Sequence, residues 1–141
     1  MAISTYKVFL MKKGTTTYEK LCDITGFPSM MGAPEGLDAT TLTDGQRVYI
    51  PGIREVEAGL AFTANYDKTT FDSIDADKET EGDYALWIGG TESGGVVTPT
   101  GSNGKLEVKG YLYPSIDEGG VNEVIGMTLT LMPTTPVTIG T

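Results

Sequence analysis

The chain has 141 residues, nineteen acidic and ten basic side chains, no histidine and a formal charge of −9. That length suits a single domain, 1–141, able to bury roughly two thirds of its unfolded surface. The negative balance excludes sequence-independent nucleic-acid binding, which needs lysine and arginine against phosphate, and the lone Cys22 excludes an internal disulfide framework.

Taken in order, Thr5 to Met11 alternates with Tyr6, Val8 and Leu10 on one face, and Lys12-Lys13-Gly14 makes a turn. Lys7 interrupts the N-terminal apolar stretch and no small-residue cleavage site follows, so the segment reads as a strand of a protein kept in a cytoplasm. No apolar run reaches the ~18 residues of a membrane helix, and no membrane partner is expected. Tyr18 to Ile24 forms a second strand, pairing with the first as a hairpin. Residues 25–34 hold two prolines and two glycines and predict a loop, yet an oily one, with Phe27, Met30 and Met31. That loop either caps the open end of the core or packs on a neighbouring subunit. Leu37 to Leu42 reads as a short strand and Asp44-Gly45 as a turn. A second oily loop follows within 44–53, presenting Val48, Tyr49 and Ile50 before Pro51, which is expected to stop any strand. It either folds back on its own core or meets another subunit.

The longest periodic stretch runs from Arg54 to Asp67. Val56, Ala58, Leu60, Phe62, Ala64 and Tyr66 fall on one side; Glu55, Glu57, Gly59, Ala61, Thr63 and Asn65 fall on the other. The period predicts one half-buried strand of about 40 Å, roughly twice a typical length. Its outer face is small and acidic, without lysine or arginine.

Lys68 to Lys78 is the one expected helix, with Phe71 and Ile74 on its apolar stripe and Asp67 or Thr69 as its cap. Asp83 to Ile88 is a strand that opposes Tyr84, Leu86 and Ile88 to Ala85 and Trp87. The glycine- and serine-rich 89–104 reads as a flexible connection. Lys105 to Tyr113 turns Leu106, Val108 and Leu112 inward, and the last strand is expected over Val121 to Leu131. The tail after it carries prolines that oppose central-strand pairing. The sum is a mainly β fold: a β-sandwich or partly open barrel of about seven strands with one flanking α-helix. The loops 25–34, 44–53 and 89–104 are candidates for ordering on assembly.

Chemistry is hard to find in this sequence. Without histidine there is no imidazole base or ligand, and a lone cysteine is a poor nucleophile. GSNGKL has only the look of a phosphate loop, since Pro99 stands where the first glycine belongs and Leu106 replaces the hydroxyl residue. Asp75, Asp77 and Glu79 have calcium-loop spacing, but Thr80 occupies the position of the bend glycine. No enzyme, cofactor or metal is expected.

One pattern stands against that silence. Asp23-Ile24, then Pro34-Glu35, Thr40-Thr41, Asp44 and Tyr49-Ile50-Pro51-Gly52 precede Phe62 and Asn65-Tyr66-Asp67. Together with the closing VNEVIGMTLTLMPTTPVTI, this order resembles the major tail tube proteins of long-tailed bacteriophages with non-contractile tails. The resemblance implies a virion structural protein, assembled in the host bacterial cytoplasm. It also implies polymerisation with itself into stacked six-membered rings around a tape-measure protein, capped by a tail terminator. The genome then passes through the lumen without specific binding. On that expectation Glu55, Glu57, Thr63 and Asn65 line the bore, where negative charge repels phosphate. Phe27, Met30, Met31, Val48, Tyr49 and Ile50 then touch neighbouring subunits or rings. The alternatives are a tail terminator or neck ring, or a β-sandwich receptor- or carbohydrate-binding module with Trp87, Tyr111 and Tyr113 as its platform.

Overall fold

The computed structural model describes residues 7–31, 34–54 and 59–140. Among the described residues ten strands and one helix follow in chain order: β1 Val8–Lys13, β2 Tyr18–Cys22, β3 Ile24–Gly26, β4 Pro34–Asp38, β5 Tyr49–Arg54, β6 Leu60–Asn65, α1 Lys68–Ala76, β7 Gly82–Ser93, β8 Val96–Ile116, β9 Gly126–Pro133 and β10 Thr138–Ile139. The main sheet is antiparallel in the order β2-β1-β7-β8-β9-β6-β3, with β10 added on β8. Its two edge strands, β2 and β3, are separated in sequence by Asp23 alone. Two edges joined by one residue must lie close together, so the sheet is rolled. β2 and β3 are not paired in a ladder, and the roll is a barrel left open at that seam.

Alternation decides what fills the roll. In β6, Leu60, Phe62 and Ala64 are buried while Ala61, Thr63 and Asn65 are exposed. Opposite them, β9 contributes Met127, Leu129 and Leu131 in register with Ala64, Phe62 and Leu60. Leu10, Tyr84, Leu86, Val108 and Leu112 complete this interior. The outer face of β1 and β7 carries a second cluster, in which Phe9, Met11 and Ala85 meet Tyr18, Trp87 and Val97. Both faces of β1 are therefore covered, which explains its run of consecutive apolar residues.

Several sequence expectations change. The predicted 54–67 strand does not run through as one described element: Arg54 ends β5 in a separate two-stranded sheet, and β6 begins at Leu60. Residues 55–58 lie outside the described residues. The long element is elsewhere. The 89–104 stretch, expected as a flexible connection, extends β7 and β8 into one hairpin that turns at Gly94-Gly95. Both glycines have positive φ, 58° and 80°, as a two-residue hairpin turn requires. Periodicity failed here because glycine, serine and threonine carry no hydrophobic signal, although threonine and valine favour strands. Residues 100–103 bulge from β8 opposite Gly89 alone, between the Ile88–Gly104 and Gly90–Pro99 pairs.

The last strand starts at Gly126, five residues later than expected, and Val121 to Ile125 stays in a surface loop. Beyond it the tail does reach the sheet. Once β9 ends at Pro133, β10 occupies the flank of β8 that β9 leaves free, pairing Thr138 with Glu107. Val137 is buried beside it. The backbones of β8 and β9 pass so closely at Gly110 that a Cβ there would sit 2.1 Å from the Met132 carbonyl oxygen. Gly110→Ala is expected to cost about 1–3 kcal/mol by forcing this pair apart. A melting temperature within a degree of wild type would contradict that contact.

Helix α1 starts where Asp67 caps it, its carboxylate accepting from the Thr70 amide at 3.2 Å and the Thr70 hydroxyl at 2.8 Å. Asp67→Ala is accordingly expected to lower stability by about 1 kcal/mol, measurable by urea unfolding. An unchanged midpoint would mean that the cap contributes nothing. Ile74 enters the core, and the Tyr66 and Phe71 rings meet at 5.6 Å between centroids. The helix lies against one flank of the roll, as expected from its narrow stripe.

Candidate assembly surfaces

Among the described residues, β4 and β5 pair only with each other. Their register sets Leu37 opposite Ile50 and Asp38 opposite Tyr49, and the Ala39 amide donates to the Val48 carbonyl at 2.8 Å. Directly opposite residues share a face, so Leu37, Val48 and Ile50 form one apolar side. Tyr49, Asp38 and Arg47 share the other. Pro51 lies within β5, paired with Gly36, contrary to the expectation that it stops a strand. A two-stranded ribbon has two edges, and proline is tolerated on an edge.

Every described side chain from Glu35 to Pro51 is exposed. Leu37 is 47% exposed, Tyr49 57% and Ile50 50%. Local polar contacts hold the tip. Arg47 pairs Asp38 at 2.9 Å, the Thr40 amide donates to Asp38 Oδ1 at 2.9 Å, and Asp44 accepts from the Thr41 amide at 2.7 Å. The Thr40 side-chain and amide bonds, and then Arg47, hold the Asp38 carboxyl below its ordinary range. Its contribution is thus present above the ordinary carboxylate range and fades only as pH falls through that lowered value. None of this replaces a core. A hairpin alone is marginal in water.

Of the loop residues expected outside, Phe27 and Met31 are exposed, at 41% and 39%. Met30 is turned inward instead and joins the subunit's own core at 5% exposure. Met30 thus meets the core-capping reading of the 25–34 loop, while Phe27 and Met31 face solvent. Phe27 borders the open seam together with Val8, Ile24, Thr25 and Gly26. On β6, Thr63 and Asn65 do face outward, and Thr63 accepts a hydrogen bond from the Thr25 hydroxyl at 3.1 Å. Glu55 and Glu57 lie outside the described residues.

Exposed apolar groups not singled out from the sequence include Leu37, Val96 near the β7–β8 tip, and, last, Val121, Val124 and Ile125 in the β8–β9 loop. For the last, the signal was Glu118-Gly119-Gly120 followed by Asn122, a turn composition at odds with an early strand start.

The residues with superficial chemical spacing occupy ordinary structural positions. Gly101 to Leu106 lies within β8 and opens no helix, as a phosphate loop would require. Asp75 pairs Lys78 at 3.1 Å and Asp77 pairs Lys12 at 3.1 Å. Trp87 is half-buried, 5.8 Å from the Tyr18 ring and beneath the Lys105 ammonium, while Tyr111 and Tyr113 are also half-buried. Burial, reinforced by Asp23 and opposed by Lys20, pushes the Cys22 thiol up to about 11. Relative to 9.0, its ordinary value, about a hundredfold less thiolate exists at pH 8, partly offset by a more nucleophilic sulfur. Alkylation of folded protein by iodoacetamide should be at least about tenfold slower than after unfolding; equal rates would contradict it.

No protein-family model matches the chain, and a search of curated proteins returns no relative.

Proposed function

We propose that this chain is a structural subunit that polymerises with itself into a hollow tube, the tail tube of a long-tailed bacteriophage with a non-contractile tail. The observation that carries the reading is the β4–β5 arm: a ribbon with exposed Leu37, Tyr49 and Ile50 and, among the described residues, no core of its own. Such a ribbon gains its burial from another molecule, and a subunit with open seam edges is suited to closure by its own copies. The ordered sequence marks from Asp23 to Asp67 support the same assembly. In it, stacked hexameric rings surround a tape-measure protein and later conduct the genome. Thr63 and Asn65 then belong to the lumen wall, with Glu55 and Glu57 continuing it. A carboxylate-bearing wall repels phosphate and lets DNA slide.

Negative-stain microscopy of concentrated protein tests the reading. Hollow tubes of constant width are the expected result. Single globular particles at every concentration would overturn it, and a tube map with Glu55 and Glu57 on the outer wall would overturn the lumen assignment.

A further inference from the structure

The β8–β9 loop is built inside out. Its ends are tied where the Asp117 amide donates to the Gly126 carbonyl at 3.0 Å and the Thr128 hydroxyl donates to Asp117. Inside the loop the Gly120 amide donates to Glu123 Oε2 at 3.0 Å. Asn122 holds a positive φ of 60°. The polar groups are thus spent on the loop's own backbone, while Val121 and Val124 stand 91% and 76% exposed. A tied loop that points its valines at water is shaped for contact, since burying apolar side chains drives association. Its charge is one-sided as well. Asp117, Glu118 and Glu123 are acidic, and no lysine or arginine occurs from 110 to 141.

A surface of opposite character lies on the β1–β2 hairpin. A dimple of about 180 Å³ is lined by Lys12, Lys13, Gly14, Glu19, Lys20 and Leu21. Lys12 and Lys20 already pair with Asp77 and Asp23, whereas Lys13 has no ion pair among the described residues. Lysine stems and Leu21 make apolar walls under a rim that carries the Lys13 ammonium and, beside it, the Glu19 carboxylate. We propose that the β8–β9 loop of one copy seats Val121 and Val124 in the β1–β2 dimple of a second copy, with Glu118 facing Lys13. The loop and the dimple are different surfaces, so a pair joined by one such contact keeps a free loop and a free dimple and can propagate head-to-tail, unless the reciprocal contact closes it as a two-fold dimer. The idea rests on the self-assembly reading above but names a contact separate from the arm.

Charge reversal and rescue test it. Lys13→Glu alone and Glu118→Lys alone should each raise the concentration needed for assembly about tenfold or more, read by sedimentation velocity. An equimolar mixture of the two variants, in which each reversed charge meets a reversed partner, should recover assembly to within about threefold of wild type. Single variants that assemble like wild type, or a mixture no better than either, would overturn the contact. Wild type that forms rings but no tubes, with the same loss and rescue, keeps the contact and overturns the tube. Wild type that stays monomeric overturns both.

Discussion

Replacing Tyr49 and Ile50 together by serine leaves a folded subunit that no longer polymerises. Both side chains are half-exposed on a ribbon without a core, so the monomer loses little, within about 0.5 kcal/mol per site. In the proposed assembly they would be the arm's largest apolar contacts beside Leu37. Truncating an aromatic anchor buried at an interface typically costs about 2 kcal/mol or more, and burying an isoleucine side chain contributes about 1.5–3 kcal/mol. Two such losses would raise the concentration for assembly by several hundredfold, since about 1.4 kcal/mol is tenfold. The measurement is paired: a thermal melt for the monomer and pelleting for the polymer. An unchanged melt with no pellet is the expected outcome, and undiminished tubes would remove the arm from the interface.

Phe62→Ala has the opposite profile. Phe62 is fully buried in β6, facing Leu129 across the ladder and surrounded by Leu60, Leu131 and Met127. Truncating a core phenylalanine costs about 3–5 kcal/mol, through lost transfer energy and the cavity left behind. In a domain of this size that lowers the melting temperature by roughly 10–20 °C. Assembly then fails because the subunit unfolds, not because a surface is missing. A melt within a few degrees of wild type would mean that the roll is packed differently. The contrast separates the two roles that residues near each other in sequence can play, one inside the subunit and one between subunits.

The sequence carried the interior well. The alternation of Leu60, Phe62 and Ala64, the inward set Leu106, Val108 and Leu112, and the Asp67 cap were all readable, because period and capping are local physics. What it hid had two causes. Low-hydrophobicity strands such as 89–104 carry no period, so the β7–β8 extension was invisible. Alternation also says nothing about where a strand changes sheets, and the apparent 54–67 ribbon ran across the junction between β5 and β6. Among the residues expected at subunit contacts, Phe27, Met31, Val48, Tyr49 and Ile50 stand out as oily residues in turn-rich stretches, and all are exposed. Met30 carries the same composition signal and faces inward, because composition does not tell which of two adjacent methionines reaches the core. Val121 and Val124 were absorbed into a strand by the parity of Val121 with Met127.

The central claim is that the β4–β5 arm obtains its burial from another copy of the chain. Amide hydrogen exchange read by mass spectrometry on peptides spanning 34–54 addresses it, at concentrations below and above assembly. The amides of β4 and β5 should exchange within seconds in the free subunit and become strongly protected in the polymer, while those of β6 and β9 stay protected in both. Equal protection of the arm at both concentrations would contradict the account.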